Sequence, residues 1–597
     1  MRTEGLPVSR AEWVLVAALL AAFAAASLLS MARKSPTFDE TAHLGAGVSY
    51  VRAGDFRMNP EHPALPKLAA GAAALAAGAR MPESSDAWRD GDQWAFGREV
   101  LYESPASWKR ILFAARLPTV LAGLLLGFVV WVWTRAMAGA ASAAVALGLF
   151  AFEPNIVAHS RLVTTDIPLA LWVTAACACL WTARRTGRTR WVVAAGACFA
   201  ASMATKFSAF SYAPVYAALA LIPSPSRDLR RGFAHLGVLA GTGALLTLLV
   251  VWASYGLATD FASIRSIGMT GRGVHPEGMS LIRRIPYEVL ATIPWPSVEF
   301  ARGMKDVLLY TEGGHPVFLC GMRADHGWWW FAPVAFFAKT PLPVLALVLW
   351  GVSRIRGRHR MDTLFLLLPV ALVFATNMLA RLGIGFRHVL PAMPFLLILA
   401  ALPFRRGLPS SRVGVVIAGG LLLWHLGGSA RVHPDYLSYF HEAAGGVSGG
   451  ARILGDSSLD WGQDLSRATD ALHRHGVDHA ILCYFGTANP FAEEMRWQLL
   501  PPTWEEGMDG WERLPESGPV WLAMSVTNLQ GVYIRARRDE PPFPWLVEVE
   551  PEERVGGIWL YDLTNRPRAL SGMAETYRRN GMRREAEAAL HRAGDGP

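Results

Sequence analysis

Three short stretches of this sequence carry acids where an acid can do chemistry. The first, SPTFDETAHLGAGVSYVRAGDFRMNPEHPALPKLAAG, sets Asp39 beside Glu40, with His43, Glu61 and His62 close behind. A carboxylate held against an acceptor hydroxyl can take its proton as the oxygen attacks, which is general-base catalysis. Two adjacent acids point in different directions from either a helix or a strand, so one can act as base while the other meets a cation or a hydrogen-bond donor. The same residues suit a helix start, with Thr37 or Asp39 capping and the acids at the positive end of the dipole. The second stretch, EPNIVAHSRLVTTDIPLALW, places Asp166 directly before Ile167 and Pro168, again good helix-start chemistry. The third, LGDSSLDWGQDL, holds Asp456, Asp460 and Asp464 but lacks the spacing and closing Glu of a calcium loop. It reads as a turn-rich structural or acceptor-binding element.

Cations of unusual position accompany these acids. Only six of the 57 basic residues are lysine, and two of them, Lys206 and Lys339, interrupt apolar stretches. An ionisable group inside such a stretch is costly to bury and points to function, unless its chain snorkels to the interface. Arg387 and His388 sit in GIGFRHVLPAMPF at the start of another apolar run. Cations beside two acidic sites suit an anionic lipid headgroup and a reaction that needs a base. Asp39, Glu40, His43 and His62 could also hold a divalent ion, so metal dependence stays open.

The elements that must position these groups are membrane helices. Hydrophobic residues make up 52% of the 597, charged residues 18%, and the mean hydropathy is +0.25. A soluble chain carries about 25% charge, so lipid is part of the solvent here. Apolar stretches run at about 13–31, 111–133, 137–152, 167–182, 191–205, 207–222, 233–255, 328–352, 364–382, 389–403 and 413–430. They predict roughly eleven spans, although several fall short of the ~20 residues a spanning helix needs. The first is longer than a signal-peptide core and is read as an uncleaved helix.

Basic runs orient the chain: Arg184, Arg185, Arg188 and Arg190; Arg227, Arg230 and Arg231; Arg354, Arg356, Arg358 and Arg360; Arg405, Arg406 and Arg412. With eleven spans and a cytoplasmic N-terminus, all four lie inside, as the positive-inside rule requires. The net charge of +9 is therefore topological and not a nucleic-acid footprint. The acidic loops, including the first at 32–110, then share the extracytoplasmic side with the tail.

The expected fold is an all-α polytopic membrane unit over 1–430, followed by a small extracytoplasmic α/β domain over 431–597. In that tail, Ala480–Phe485 and Pro519–Met524 look like buried strands. Leu465–His475 and Met573–Arg592 look like helices, the last read as a terminal helix. Cys320 and Cys483 could pair if both face an oxidising compartment.

Taken in order, FDETAHL with NPEHPALPKL, EPNIVAHSRLVTTDIPLALW, GHPVFLCGMRADHGWWWFAPVAFFAKTPLP and FRHVLPAMPF resemble the GT-C glycosyltransferases of family 39. That group includes protein O-mannosyltransferases and the aminoarabinose transferase acting on lipid A. HPDYLSYFHEAAGG with LGDSSLDWGQDL resembles a bacterial subgroup. The resemblance covers Asp39 to about Leu465. It implies a polyprenyl-phosphate sugar donor, an extracytoplasmic lipid, glycan or protein acceptor, inverting transfer and an inner-membrane location. It also implies that Asp39 is the base, Glu40 its partner and Asp166 a second-loop acid near the acceptor. Lys339, Arg387, His388 and Lys206 would then stabilise the departing phosphate, with His43, Glu61 and His62 supporting the loop or the acceptor. The sequence lacks a recognisable lumenal repeat domain between its middle spans. The competing reading is a transporter or lipid flippase, which also uses many spans and intramembrane charge.

Overall fold

Six helices among the described residues are long and apolar enough to cross a membrane: Arg10–Met31, Trp108–Ala138, Asp166–Thr186, Arg230–Ser254, Arg360–Leu379 and Arg412–Val432. The computed structural model describes residues 7–223, 229–267, 281–355, 360–409, 411–503, 508–534 and 540–594. Arg227, Arg356 and Arg358 of the basic runs lie outside them. The other expected spans are helical but broken or short. Ala140–Ala151 and Pro154–Ser160 meet at 62°, and Phe331–Lys339 and Leu342–Ser353 at 109°. Proline explains both breaks, because Pro154 and Pro341 lie where each second helix begins and offer no N–H to continue the first. Arg190–Met203, Phe207–Leu221 and Met393–Ala401 are apolar but too short to span alone.

Leucine and valine side chains such as Leu121, Leu245, Val416 and Leu423 are exposed along the spanning helices. Lipid, not water, is their natural neighbour. The chain is a multi-span helical membrane protein.

The first loop is also helical. Phe38–Ala53 packs against Ala64–Ala76 and Gln93–Tyr102. Glycine permits the contact: a Cβ on Gly71 would lie 2.1 Å from the Gly47 carbonyl. Such small-residue seams let two helix backbones approach closely.

The tail forms a five-stranded sheet. Its spatial order is Arg496–Leu499, His479–Cys483, Trp521–Ser525, Ile558–Asp562 and Glu553–Val555. The first three strands are parallel, with Ile481 opposite Leu522, and the last two join antiparallel. The central strands are buried on both faces, which is why they read as plain apolar runs without alternation. Leu465–Arg474 covers one face. A hairpin of two helices, Pro567–Arg579 and Arg583–Ala593, covers the other. The expected single terminal helix is therefore two, broken at Gly581, whose φ of 76° ends the first. Cys320 is exposed and Cys483 is buried in the sheet; both are free thiols and do not pair.

Candidate active site

Residue 38 begins a helix, and that decides where the two adjacent acids point. Glu40 completes a capping box by accepting from the Thr37 backbone N–H at 2.8 Å. It then turns inward, fully buried. Arg116, on the span Trp108–Ala138, grips it with two bonds of 2.8 and 2.6 Å, and the Val163 N–H adds a third at 2.8 Å. Burial opposes the charge on Glu40, but Arg116 and these N–H donors outweigh it and hold the carboxyl below its usual range. Arg116 also donates to the carbonyls of Met31, Lys34 and Ser35. Glu40 thus ties the end of the first span, the first loop and the second loop together, and it does not reach the cavity.

Asp39, one residue earlier and about 100° around the helix, faces a cavity of about 800 Å³. Its side chain is 18% exposed and accepts one bond, 2.7 Å from Arg387 Nη1. Arg387 comes from a short 3-10 turn, Phe386–His388, that follows the span Arg360–Leu379. Its guanidinium lies 4.4 Å over the Trp461 ring. Burial works against the Arg387 charge, but Asp39 and Asp166 more than compensate and raise its pKa above the usual value. Its Nε is buried with no hydrogen-bond partner.

The other predicted groups divide between the cavity and its supports. His43, Glu61, His62, Lys206 and His388 line the same cavity as Asp39 and Arg387. His43 and His62 rings meet edge to face at 4.8 Å, and His43 Nδ1 is 2.7 Å from the Val163 carbonyl. Burial keeps His43, His62 and His388 below the usual histidine pKa, so they are neutral at pH 7. Glu61 accepts from Asn59 and Gln93. Asp166 opens the span Asp166–Thr186 and binds Lys206 Nζ at 2.6 Å, with Lys206 between it and the cavity.

Lys339 is elsewhere. It sits at the 109° break, fully buried, and donates to the Leu437 and Ser458 carbonyls. It satisfies two backbone oxygens of the tail, and it lies outside the cavity lining. No three His, Cys, Asp or Glu side chains come together as a metal site among the described residues.

The tail supplies part of the wall. The Phe38 N–H donates to the Trp461 carbonyl at 2.8 Å, and Phe386 N–H to Ser458 Oγ at 3.0 Å. Asp456, Trp461, Phe485 and Tyr533 all line the cavity. Asp456 sits at φ 52°, and Tyr533 donates its hydroxyl to the carboxylate. Burial raises the Asp456 carboxyl above its usual range. The motif LGDSSLDWGQDL pointed to this segment; nothing in the sequence around Tyr533 did.

Residues 109–253 match the family model of dolichyl-phosphate-mannose-protein mannosyltransferases. Over that segment the chain is similar to the GT-C glycosyltransferases of the protein-mannosyltransferase type. The solved structure of the S. cerevisiae protein O-mannosyltransferase Pmt1-Pmt2 complex bound to the sugar donor is similar at 12% identity and a TM-score of 0.50, over 72% of this chain and 90% of that one. ArnT from Cupriavidus metallidurans bound to undecaprenyl phosphate is similar at 12% identity and a TM-score of 0.46, over 94% of this chain and 99% of that one. No curated protein matches this chain in sequence. The Pmt1-Pmt2 likeness extends the GT-C fold beyond the matched segment.

Proposed function

We propose that this protein is a membrane glycosyltransferase. It would move a hexose or pentose from a polyprenyl-phosphate donor to an extracytoplasmic lipid, glycan or protein acceptor. The observation that carries this reading is the joining of Asp39, Arg387 and Lys206 in one cavity. The family match to dolichyl-phosphate-mannose-dependent enzymes supports such a donor, and the fold it shares with the donor-bound Pmt1-Pmt2 complex agrees with it.

In this reading Asp39 takes the proton of the acceptor hydroxyl as its oxygen bonds to the anomeric carbon. The bond from that carbon to the phosphate oxygen breaks, and polyprenyl phosphate leaves carrying the negative charge. Arg387 and Lys206 offset that charge in a site with little water, where fixed cations act strongly. Attack opposite the leaving group inverts the anomeric centre. Asp166 holds Lys206 in place, and neutral His62 and His388 offer hydrogen bonds. An acceptor that is itself a phosphate or carboxylate would need no base, and Asp39 would then only orient it.

The same reading places 1–430 in the inner membrane with a cytoplasmic N-terminus. It places 431–597 outside, closing the cavity. Purified protein given polyprenyl-phosphate sugars and cell-envelope extract tests it: NMR of the product should show release of polyprenyl phosphate and inversion at the anomeric carbon. Passage of the intact donor across a vesicle membrane with no chemical change would overturn it in favour of a flippase.

A further inference from the structure

A second cavity, of about 1070 Å³, shares no lining residue with the first. It lies where the end of Arg10–Met31, the start of Trp108–Ala138 and the tail helix Leu465–Arg474 converge. Its lining is one-sided in charge: Arg33, Lys109, Arg110, Arg467 and Arg474 stand against a single carboxylate, Asp470. Lys34 and Arg116 also line it, but Asp435, Asp464 and Glu40 neutralise them.

The remaining cations are unevenly compensated, closely at Arg467 and Arg474 and loosely at Lys109. Arg467 and Arg474 have Asp435 and Glu553, while Lys109 is 61% exposed and 3.7 Å from Glu493. Arg33 and Arg110 are exposed and have no carboxylate partner among the described residues. Uncompensated guanidinium groups in a concave site favour an anion, and their planar forks match phosphate oxygens.

Part of the lining is apolar, including Ala73 and, further along the helix that carries Lys109 and Arg110, Leu112, Phe113 and Leu117. Leu117 continues at helical spacing into Leu121 and Leu125, which are 42%, 57% and 46% exposed in turn. Three leucines on one exposed stripe of a spanning helix face lipid. The cavity therefore has a cationic end at the membrane surface and an apolar track leading into the bilayer. Trp108, beside Lys109 and Arg110 at the start of the helix, is the residue type that favours headgroup depth.

We propose that this cavity binds a phosphate-bearing membrane lipid, with its headgroup between Arg33 and Arg110 and an acyl chain along Leu117, Leu121 and Leu125. A free phosphate would answer the cations but leave the apolar track without purpose. The site is separate from the transfer chemistry and stands whether or not that reading holds.

The test is native mass spectrometry of the full protein from phosphatidylcholine nanodiscs containing some phosphatidylglycerol. The wild type should retain phosphatidylglycerol in preference to phosphatidylcholine. R33Q/R110Q should hold it on the order of tenfold more weakly, since each basic residue near an anionic surface contributes several-fold. R33K/R110K should keep most of the preference. Equal retention of both lipids by the wild type would overturn the proposal, and that comparison needs no variant to fold. So would unchanged preference in R33Q/R110Q, or displacement of the lipid by millimolar inorganic phosphate.

Discussion

Asp39 and Glu40 are neighbours in sequence and opposites in setting. Glu40 is buried among an arginine fork and two backbone N–H groups, and its oxygens are filled. Asp39 borders a cavity and accepts one bond. The same contrast separates Lys339, which holds two carbonyls inside the protein, from Lys206, which lines the cavity with one carboxylate attached. A group with every partner in place supports the frame. A group with capacity left, at a wall open to a ligand, is free to meet a substrate. Residue type and spacing cannot show this difference, because it depends on partners remote in sequence.

Breaking the saturated side should cost the most stability. E40Q leaves Arg116 buried without its counter-charge, and loss of one partner of a buried pair costs ~3–5 kcal/mol. Its thermal unfolding midpoint in detergent should fall sharply. An unchanged midpoint would show that Arg116 is well served by the carbonyls alone.

The two lysines sharpen the comparison at a smaller scale. K206M should raise the KM for the donor about tenfold or more, as expected for losing a charged hydrogen bond worth ~1.5–3 kcal/mol, with little change in midpoint. K339M should do the reverse: it strands two buried carbonyls at a cost of ~1–3 kcal/mol each and leaves donor KM alone. A donor-affinity loss in K339M would place that lysine back in the site.

The smallest effect is with pH. Burial holds His43, His62 and His388 below their usual pKa, so the folded chain binds fewer protons than the unfolded one. Stability from these groups is complete above the unfolded value of about 6.5. It is lost progressively as the pH falls from there toward their folded values. The midpoint should decline on acidification through this window, and the decline should lessen in H62N. A flat profile there would mean that these rings protonate in place.

Much of the frame was legible in the sequence. All eleven apolar stretches are helical, and the two strand segments fall where patterning put them. Span lengths were not legible, because Pro154 and Pro341 break helices inside runs whose composition is uniformly apolar. For the site, the acids and Arg387 were recognisable as a set. The division between them was not. Arg116 looks like an ordinary charge at the start of a span, yet it lies 76 residues from the Glu40 it holds. Asp456 and Tyr533 meet across 77 residues and a sheet, so no local spacing announces them.

The division of labour between Asp39 and Glu40 is tested most directly by the turnover of D39N, measured with a polyprenyl-phosphate sugar on protein whose thermal midpoint is recorded in the same preparation. The expected result is a fall of roughly 10²–10⁴-fold with the midpoint unmoved. Full turnover from a folded D39N protein would contradict it.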